Sequence, residues 1–432
     1  MPEPVSYTFP STFLWGTAAS SHQVEGGNTN NDWWEWEQRG KIKDGSRSGA
    51  ACDQYHRFAQ DFSALKKQHH NTHRLSLEWS RIEPEAGRWD KSAIAHYKQV
   101  IHSLKSKGLV PMVTLHHFTN PLWLMRMGGW ENPGVVGLFA RYARFAAREL
   151  GENVDLWITI NEPIVYAYES YISGIWPPGK NDFGTAMRVI RHMLSAHAAA
   201  YHAVHDVLGR TCRVGFAKHC RVLDPYRGGS FFDRLLSLGF DFIFNRLFTA
   251  ACIHGVIPPP AAFFRRVRRL RNTTDFIGIN YYTRELIKFD LTKADSLFIS
   301  LFTRPGAKVN SLGWEFYPRG LYRFLQSLKK YRKPVYITEN GTCTADDTER
   351  CRFIVAHLRQ VHRAISRGID VRGYYYWSCL DNFEWAEGFT PRFGLMEVEY
   401  TTQRRTLRGS GRLYAEIARS GGITTEMIRR FG

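Results

Sequence analysis

The stretch Thr159-Ile160-Asn161-Glu162-Pro163 ends an apolar, strand-like run with a polar step that carries a glutamate. A second stretch, Ile337-Thr338-Glu339-Asn340-Gly341, repeats this arrangement far along the chain. Residues 154–158 lead into the first stretch and residues 334–337 into the second, and both runs are predicted to be strands. Two carboxyl groups delivered by the ends of two strands suit a reaction that needs one acid and one nucleophile.

Around these two stretches the chain repeats a unit of one apolar strand followed by one helix. Helices are predicted between the strands, and Gly108 and Gly151 stand where glycines end helices. Strands that are apolar over nearly their whole length are typical of strands buried on both faces. Eight such units predict the α/β class and a (β/α)8 TIM barrel with its active site at the C-terminal ends of the strands. The predicted strands cover residues 13–16, 72–77, 109–115, 154–159, 213–217, 275–280, 334–338 and 372–377.

The whole chain, residues 1–432, is predicted to form this one domain. No low-complexity linker interrupts the series, and barrels with loop insertions reach about 400 residues or more. The longest irregular stretch, residues 284–313, lies between the sixth strand and its helix and contains Pro305 and Gly306. In a barrel such an insertion is expected to be an active-site loop.

The net charge of +18 raises nucleic acid or a membrane surface as a partner. The densest basic run, Arg265-Arg266-Val267-Arg268-Arg269-Leu270-Arg271, follows three prolines and precedes a predicted strand. No aromatic platform or recognised nucleic-acid-binding module accompanies the run, so it is interpreted as the solvated face of a helix. No specific nucleic-acid partner is predicted.

Cysteine usage and two further sequence features favour a cytoplasmic protein. The seven cysteines are odd in number, scattered and without a C-x-x-C pair, which is typical of reduced thiols. Residues 1–10 lack the pattern of a signal peptide. We expect no apolar run of the roughly 18 residues that a membrane span needs, so no membrane partner is predicted.

Two histidine clusters, His69-His70-His73 and His197-His202-His205, are the strongest candidates for a metal site. Neither carries an adequate set of ligands, and both are interpreted as packing or surface residues. The sequence therefore predicts no metal and no organic cofactor.

Polar or aromatic side chains stand at or just past the C-terminal ends of the predicted strands. Closure of the barrel is expected to gather them into one pocket. Glu339 is expected near Arg74 and Tyr282, where a cation and a hydroxyl donor keep it ionised as a nucleophile. Glu162 has no such cation and more easily holds a proton as the general acid. The set consists of Gln23, Arg74, His117, Asn161, Glu162, Tyr282, Glu339 and Trp377.

The chain resembles glycoside hydrolase family 1, the β-glucosidase family of retaining enzymes. The resemblance extends from residue 13 to residue 406, which is essentially the whole chain. Besides the two opening stretches, its carriers are DFIGINYY at residues 275–282, WSCLDNFEW at residues 377–385 and RFGL at residues 392–395. These motifs are highly specific in combination, whereas Asn-Glu-Pro alone is weak.

The resemblance implies a role for each matching residue. Glu339 would be the nucleophile and Glu162 the acid/base, with Arg74 and Tyr282 orienting Glu339. Asn161 would hold the 2-hydroxyl of the sugar. The resemblance also implies that Gln23, His117, Glu384 and Trp385 bind the sugar hydroxyls. Trp377 would stack on the sugar ring and Trp314 would contact the aglycone. Phe393 is a further implied substrate-binding residue.

The implied activity is that of a retaining exo-β-glycosidase that forms a covalent glycosyl-enzyme. Its substrates would be small β-glycosides or short β-linked oligosaccharides with a terminal β-D-glucosyl residue, and β-galactosides and β-fucosides are further candidates. The chain departs from the family pattern at Phe118 and Thr119, after His117, and also at residues 342–345 and 284–313. The last two stretches border the expected aglycone entrance.

Two alternatives on the same barrel are a 6-phospho-β-glycosidase and a non-catalytic sugar-binding protein. A phosphate on the sugar requires basic or hydroxyl donors, whereas the carboxylate of Glu384 would repel it. A non-catalytic protein is expected to lose one of the two carboxyl groups, and this chain keeps both. The sequence makes no prediction of the oligomeric state.

Overall fold

A computed structural model describes residues 5–267, 269–293 and 298–432 of the chain. The strands are β1 (Val5–Thr8), β2 (Leu14–Ala18), β3 (Thr72–Ser76), β4 (Val110–His116), β5 (Leu156–Asn161), β6 (Arg213–Pro225), β7 (Val256–Ile257), β8 (Arg265–Arg266), β9 (Phe276–Phe289), β10 (Ile299–Phe302), β11 (Val335–Asn340), β12 (Val371–Trp377), β13 (Met396–Glu399), β14 (Arg404–Leu407) and β15 (Gly422–Thr424).

The α-helices alternate with these strands, and a π-helical turn, Phe242–Arg246, joins α10 to α11. They are α1 (Ser21–Val24), α2 (Asp32–Gln38), α3 (Gln54–Lys67), α4 (Trp79–Ile82), α5 (Lys91–Ser106), α6 (Leu122–Arg126), α7 (Val135–Leu150), α8 (Pro163–Tyr171), α9 (Phe183–Leu208), α10 (Phe231–Asp241), α11 (Leu247–His254), α12 (Pro318–Leu328), α13 (Asp347–Ser366), α14 (Gly409–Ser420) and α15 (Thr425–Phe431).

Eight parallel strands close into a barrel in the order β2, β3, β4, β5, β6, β9, β11, β12, and β12 pairs with β2. Pairing of β6 with β9 completes the ring. Each predicted strand corresponds to one barrel strand, so the predicted (β/α)8 barrel is confirmed. Every residue of β3, β5 and β11 is buried, as expected for parallel strands covered by helices on the outside.

Helix α5 illustrates how local sequence sets the helix boundaries. The side chain of Asp90 accepts hydrogen bonds from the backbone of Ser92 and Ala93 and so caps the first turn. Gly108 follows the helix with a φ of 69°, a conformation that a residue with a Cβ rarely adopts. The helix therefore begins and ends close to its predicted limits of residues 91 and 107.

The stretch 284–313 is less irregular than predicted. Strand β9 continues to Phe289 and forms an antiparallel hairpin with β10, in which Phe302 lies opposite Leu286. Charged residues at the start of this stretch lie within the strand and are paired, since Arg284 pairs with Glu315 and Glu285 pairs with Arg221. Residues 294–297 of the predicted insertion lie outside the described residues.

The arginine-rich run is exposed, but its interpretation as a helix face was wrong. Arg265 and Arg266 form the short strand β8, which pairs with β7. Phe264 and Arg269 on either side have positive φ values of 46° and 63°, so a continuous helix cannot form there. Arg268 lies outside the described residues.

The expectation that no apolar run reaches membrane-spanning length was also wrong. One helical segment is long and apolar enough to cross a membrane, judged by its length and composition only. This segment is Phe231–His254, and 44% of its most apolar 18-residue stretch is buried in the fold. Its last third, α11, packs into the core through Leu247, Phe248 and Ala251, which are at most 1% exposed. The C-terminal third of this segment is thus a core helix of the barrel.

All seven cysteines are buried and unpaired. Across residues 5–267, 269–293 and 298–432, no group of three or more His, Cys, Asp and Glu side chains is arranged to hold a metal ion. His197 instead contacts the hydroxyl of Thr159 at 2.6 Å and the carbonyl of Thr273 at 2.7 Å, as a packing residue does.

Candidate active site

The two glutamates of the opening stretches lie at the same end of the barrel. Glu339 is the fifth residue of β11, whereas Glu162 directly follows β5. Glu162 has a φ of 45° and precedes Pro163, the first residue of α8. Proline suits this position, because its missing N–H would have no partner in the first helical turn. The Asn-Glu-Pro sequence thus turns the chain from strand to helix and leaves the glutamate at the turn.

A cavity of about 360 Å³ opens at this end of the barrel. Ten of the twelve predicted site residues line it, and they are His117, Asn161, Glu162, Tyr282, Trp314, Glu339, Trp377, Glu384, Trp385 and Phe393. The other two, Gln23 and Arg74, are fully buried behind the wall. Arg74 contacts Glu339, and Gln23 contacts Glu384.

Both carboxylate oxygens of Glu339 accept hydrogen bonds. Nη1 of Arg74 donates to Oε1 at 2.5 Å, and the hydroxyl of Tyr282 donates to Oε2 at 2.6 Å. With both oxygens occupied by donors, the geometry is that of an ionised carboxylate. The expected neighbours of Glu339 are therefore present.

The net pKa of Glu339 nevertheless differs from the expectation. Burial raises it to about 7, Arg74 and Tyr282 oppose this rise, and the nearby charge of Glu162 adds to it. The two donors act in the expected direction, but desolvation of a carboxyl group that is only 4% exposed outweighs them.

Glu162 has a different hydrogen-bonding environment. Its Oε1 accepts a hydrogen bond from Nδ2 of Asn280 at 2.7 Å and lies 3.3 Å from Nδ1 of His219. Its Oε2 has no hydrogen-bond partner among the described residues, and no arginine or lysine forms an ion pair with Glu162 there. One oxygen of Glu162 is therefore fixed by the protein, and the other is left open towards the cavity that Glu162 lines.

Asn161 connects the two carboxyl groups. Its Oδ1 accepts from Nη2 of Arg74 at 2.7 Å and from Nδ2 of Asn280 at 3.1 Å. Arg74 also holds Glu339, and Asn280 also holds Glu162, so one connected network fixes both glutamates. A small displacement of either group would be transmitted to the other.

His117 lies beside this network in neutral form. Its Nε2 accepts a hydrogen bond from Nδ2 of Asn161 at 3.1 Å, and its buried Nδ1 has no partner within the described chain. Burial, and secondarily the charge of Arg74, holds the pKa of His117 well below its usual range. Nδ1 therefore carries the proton and is available as a donor to a bound molecule.

Glu384 lies with Gln23 in another part of the wall. Nε2 of Gln23 donates to the carbonyl of Phe383 at 2.8 Å and is 3.3 Å from Oε2 of Glu384. Burial raises the pKa of Glu384 to about 8, and the charge of Glu339 adds to the rise. Gln23 thus has its amide engaged within the protein and supports Glu384 from behind.

Aromatic rings form two walls of the cavity. On one side, Trp385 lies nearly parallel to His117, at 6.0 Å between ring centroids and an angle of 21°. On the other, Trp314 is 5.4 Å from Tyr282 and 6.1 Å from Phe393. Such faces suit a ligand that combines apolar C–H surfaces with a few polar groups.

Comparison with known proteins identifies the family. The sequence profile of glycosyl hydrolase family 1 matches residues 5–423 of this chain. The chain belongs to glycosyl hydrolase family 1. Beta-glucosidase A of Thermotoga maritima is 33% identical over 96% of this chain and 98% of its own length. Beta-galactosidase of Pyrococcus woesei is 31% identical over 97% of this chain and 98% of its own length.

Solved structures of family 1 enzymes have the same fold. A beta-glycosidase from Pyrococcus horikoshii superposes with a TM-score of 0.92 at 40% identity, covering 99% of this chain and 98% of that one. The Thermotoga maritima beta-glucosidase in complex with castanospermine gives a TM-score of 0.91 at 32% identity, covering 96% and 99%. The protein described here is therefore a glycoside hydrolase with family 1 β-glycosidase activity.

Two residues of this family 1 enzyme that contact Glu162 were not singled out from the sequence. Asn280 lies inside the DFIGINYY motif, where its position at a strand end was a usable signal. His219 follows Lys218 in β6, and these two polar residues interrupt an otherwise apolar run just past the predicted strand. His219 also stacks on Tyr282, with 5.7 Å between ring centroids.

Proposed function

We propose that the protein is a retaining exo-β-glycosidase that hydrolyses small β-glucosides, with β-galactosides and β-fucosides as further substrates. The observation that carries this proposal is the unequal surroundings of two glutamates in one cavity. Glu339 accepts hydrogen bonds at both oxygens, whereas Glu162 is held at one oxygen only. Retaining glycosidases need one such group as nucleophile and the other as acid/base.

In the first step Glu339 attacks the anomeric carbon and Glu162 protonates the departing oxygen. The bond from the anomeric carbon to the aglycone oxygen breaks as the ester bond to Glu339 forms. Arg74 and Tyr282 are proposed to hold Glu339 in line for attack, since their donors reach Oε1 and Oε2. Asn161, fixed by Arg74, is proposed to hold the 2-hydroxyl of the sugar.

In the second step the deprotonated Glu162 accepts a proton from water as the water attacks the anomeric carbon. The ester to Glu339 breaks and the sugar leaves with its original anomeric configuration. Asn280 and His219 are proposed to keep Oε1 of Glu162 fixed while Oε2 exchanges the proton.

The sugar hydroxyls are proposed to bind to His117, Glu384 and Trp385, with Gln23 holding Glu384. Trp377 would stack on the sugar, and Trp314 with Phe393 would contact the aglycone. A cavity of about 360 Å³ is small for a ligand site, which supports one terminal sugar and a short aglycone.

An unphosphorylated sugar fits this cavity better than a 6-phosphosugar. The pKa of Glu384 is about 8, so its charge alone does not exclude phosphate at neutral pH. The described cations of the site are, however, already paired: Arg74 with Glu339, Lys43 with Glu387 and Arg221 with Glu285. A phosphate dianion would have to displace a carboxylate to gain a cation.

We propose that this glycosidase acts in the cytoplasm. The seven unpaired, buried cysteines support a reducing compartment, because oxidising compartments favour disulfides.

Initial rates on aryl β-glucoside, β-galactoside, β-fucoside and 6-phospho-β-glucoside test the proposal. We expect turnover of the plain glycosides, the glucoside among them, and none of the phosphorylated one. A Glu339→Ala variant serves as the baseline for traces of contaminating enzyme. Turnover of the 6-phosphoglucoside alone would overturn the proposed substrate class.

A further inference from the structure

Helix α10 exposes several of its large apolar side chains to solvent. Phe231, Leu235 and Leu238 are 70%, 55% and 66% exposed, and their spacing places them in one stripe. The residues that α10 buries are polar: Asp233 accepts hydrogen bonds from Arg227, and Ser237 donates to the carbonyl of Leu223. Leu236 and Phe240 pack partly buried against the core, so α10 carries apolar side chains on its inner side and on its outer side.

The exposed apolar stripe continues onto the neighbouring hairpin. Phe232 of α10, itself 55% exposed, lies 5.1 Å from Phe289 of β9, which lies 6.2 Å from Phe298. Phe302 of β10 contacts Tyr226 at 5.0 Å between ring centroids. We name this region the α10 surface and define it by Phe231, Phe232, Leu235, Leu238, Phe298 and Phe302.

Basic side chains without an ion pair prevail at the edge of the α10 surface, where the carboxylate of Asp290 accepts hydrogen bonds from Thr292 and Ser300. Arg234 and Arg304 are exposed and form no ion pair with any described residue. Lys288 lies with its ammonium 5.8 Å from the ring of Phe302. The acid of this helix face, Asp233, is buried and bound to Arg227. The chain as a whole carries a net charge of +18, which adds to the attraction of an anionic partner.

We propose that the α10 surface binds the face of an anionic lipid bilayer. Phenylalanine and leucine side chains would enter the boundary between headgroups and acyl chains, and Arg234, Lys288 and Arg304 would meet lipid phosphates. The helix lies on the bilayer and does not cross it, because α11 continues it into the barrel core.

A second copy of this chain is a poorer occupant of the same surface. Two copies related by a twofold axis would bring the same patch together from both sides. Arg234, Lys288 and Arg304 of one copy would then face those of the other, and these three cations outnumber Asp290 of the hairpin. The charge at the edge therefore favours an anionic partner.

Co-sedimentation of the full chain with lipid vesicles tests this proposal. The vesicles contain phosphatidylcholine alone or phosphatidylcholine with phosphatidylglycerol. We expect binding to the anionic vesicles that weakens as salt is added, and little binding to the neutral ones. A Phe231→Ser/Leu238→Ser double variant should lower the partition coefficient at least about tenfold, since two large exposed side chains leave the bilayer.

The matched control is Met127→Ser, which removes an apolar side chain that is 48% exposed and lies outside the α10 surface. Its partition coefficient should equal that of the unaltered chain. Hydrolysis of a soluble aryl glucoside, measured on each variant, reports the fold and should stay unchanged, because the altered side chains are on the surface.

Three results would overturn the proposal. The first is no binding of the unaltered chain to anionic vesicles. The second is binding that the double variant retains, including the case in which Phe263→Ser, in the β7–β8 hairpin, removes it instead. The third is a dimer in sedimentation velocity that the double variant dissolves, which would assign the α10 surface to a second copy.

Discussion

Glu339 and Glu162 have similar positions in the chain but opposite surroundings. Each stands beside an asparagine at the end of a barrel strand. Arg74 and Tyr282 occupy both oxygens of Glu339, whereas Glu162 receives Asn280 and His219 at one oxygen and keeps the other free. The fold supplies two equivalent positions, and the neighbouring side chains make them chemically different.

The difference is produced by residues on other strands. Arg74 comes from β3, Tyr282 and Asn280 from β9, and His219 from β6. The roles of two identical side chains are therefore decided by the closure of the barrel. Changes at each glutamate and at its neighbours should have separable consequences.

The largest effect is expected from Glu339→Gly. Hydrolysis of aryl β-glucosides should fall by about four orders of magnitude or more, because the group that forms the covalent intermediate is missing. The same variant should form glycosides from an α-glycosyl fluoride, since this donor mimics the missing intermediate and Glu162 can still activate an acceptor. Product analysis by NMR measures both the hydrolysis of the aryl β-glucoside and the formation of glycosides from the fluoride. Hydrolysis at the original rate would remove Glu339 from the mechanism.

Glu162→Ala should have a smaller effect that depends on the substrate. Loss of a general acid costs about 10²- to 10⁴-fold for poor leaving groups and less for activated aryl groups. Azide added to an activated substrate should restore turnover and yield a β-glycosyl azide, because it attacks the glycosyl-enzyme directly. An α-azide would show inversion and contradict the retaining mechanism.

Tyr282→Phe tests the contact that distinguishes Glu339. Removal of a hydrogen bond to a charged group costs about 1.5–3 kcal/mol, so kcat/KM should fall about ten- to a hundredfold. Tyr282 lowers the pKa of Glu339, so its loss raises that pKa further. The acidic limb of the kcat/KM profile should therefore move to higher pH.

Tyr281→Phe is the control for this variant. The hydroxyl of Tyr281 donates to the carbonyl of Tyr317, away from both glutamates. The acidic limb of the kcat/KM profile of Tyr281→Phe should therefore lie at the same pH as in the unaltered enzyme. Equal shifts in the two variants would mean that Tyr282 acts through packing and not through its hydrogen bond to Glu339.

His219→Asn should have the smallest effect, on the side of Glu162. The loss of one hydrogen bond of about 1 kcal/mol corresponds to roughly a fivefold lower kcat for alkyl glucosides. Activated aryl glucosides, which need little proton donation, should be nearly unaffected. An equal loss for both substrates would assign His219 to binding of the sugar instead of to positioning of Glu162.

The sequence was sufficient for the barrel because its signal is repeated. Eight apolar runs that each end in a polar or aromatic step determine strand order once the chain is known to close. The same regularity located six residues of the cavity wall, since strand ends of a parallel barrel meet at one end, and the family resemblance supplied Trp314, Glu384, Trp385 and Phe393.

What the sequence did not predict depends on contacts across the fold. The pKa of Glu339 reflects burial, which no local pattern shows. The hairpin of β9 and β10 contains polar residues that are paired with Glu315 and Arg221 from distant segments. Packing alone shows that α10 leaves Phe231, Leu235 and Leu238 exposed to solvent.

Mapping of the trapped intermediate tests the assignment of the two glutamates most directly. The enzyme would be incubated with an activated 2-deoxy-2-fluoro-β-glucoside, which slows breakdown of a glycosyl-enzyme, and its peptides analysed by mass spectrometry. A fluoroglycosyl ester on Glu339, absent when Glu339 is replaced by Gly, is the predicted result. An ester on Glu162, or steady turnover to the α-anomer without any adduct, would contradict the account.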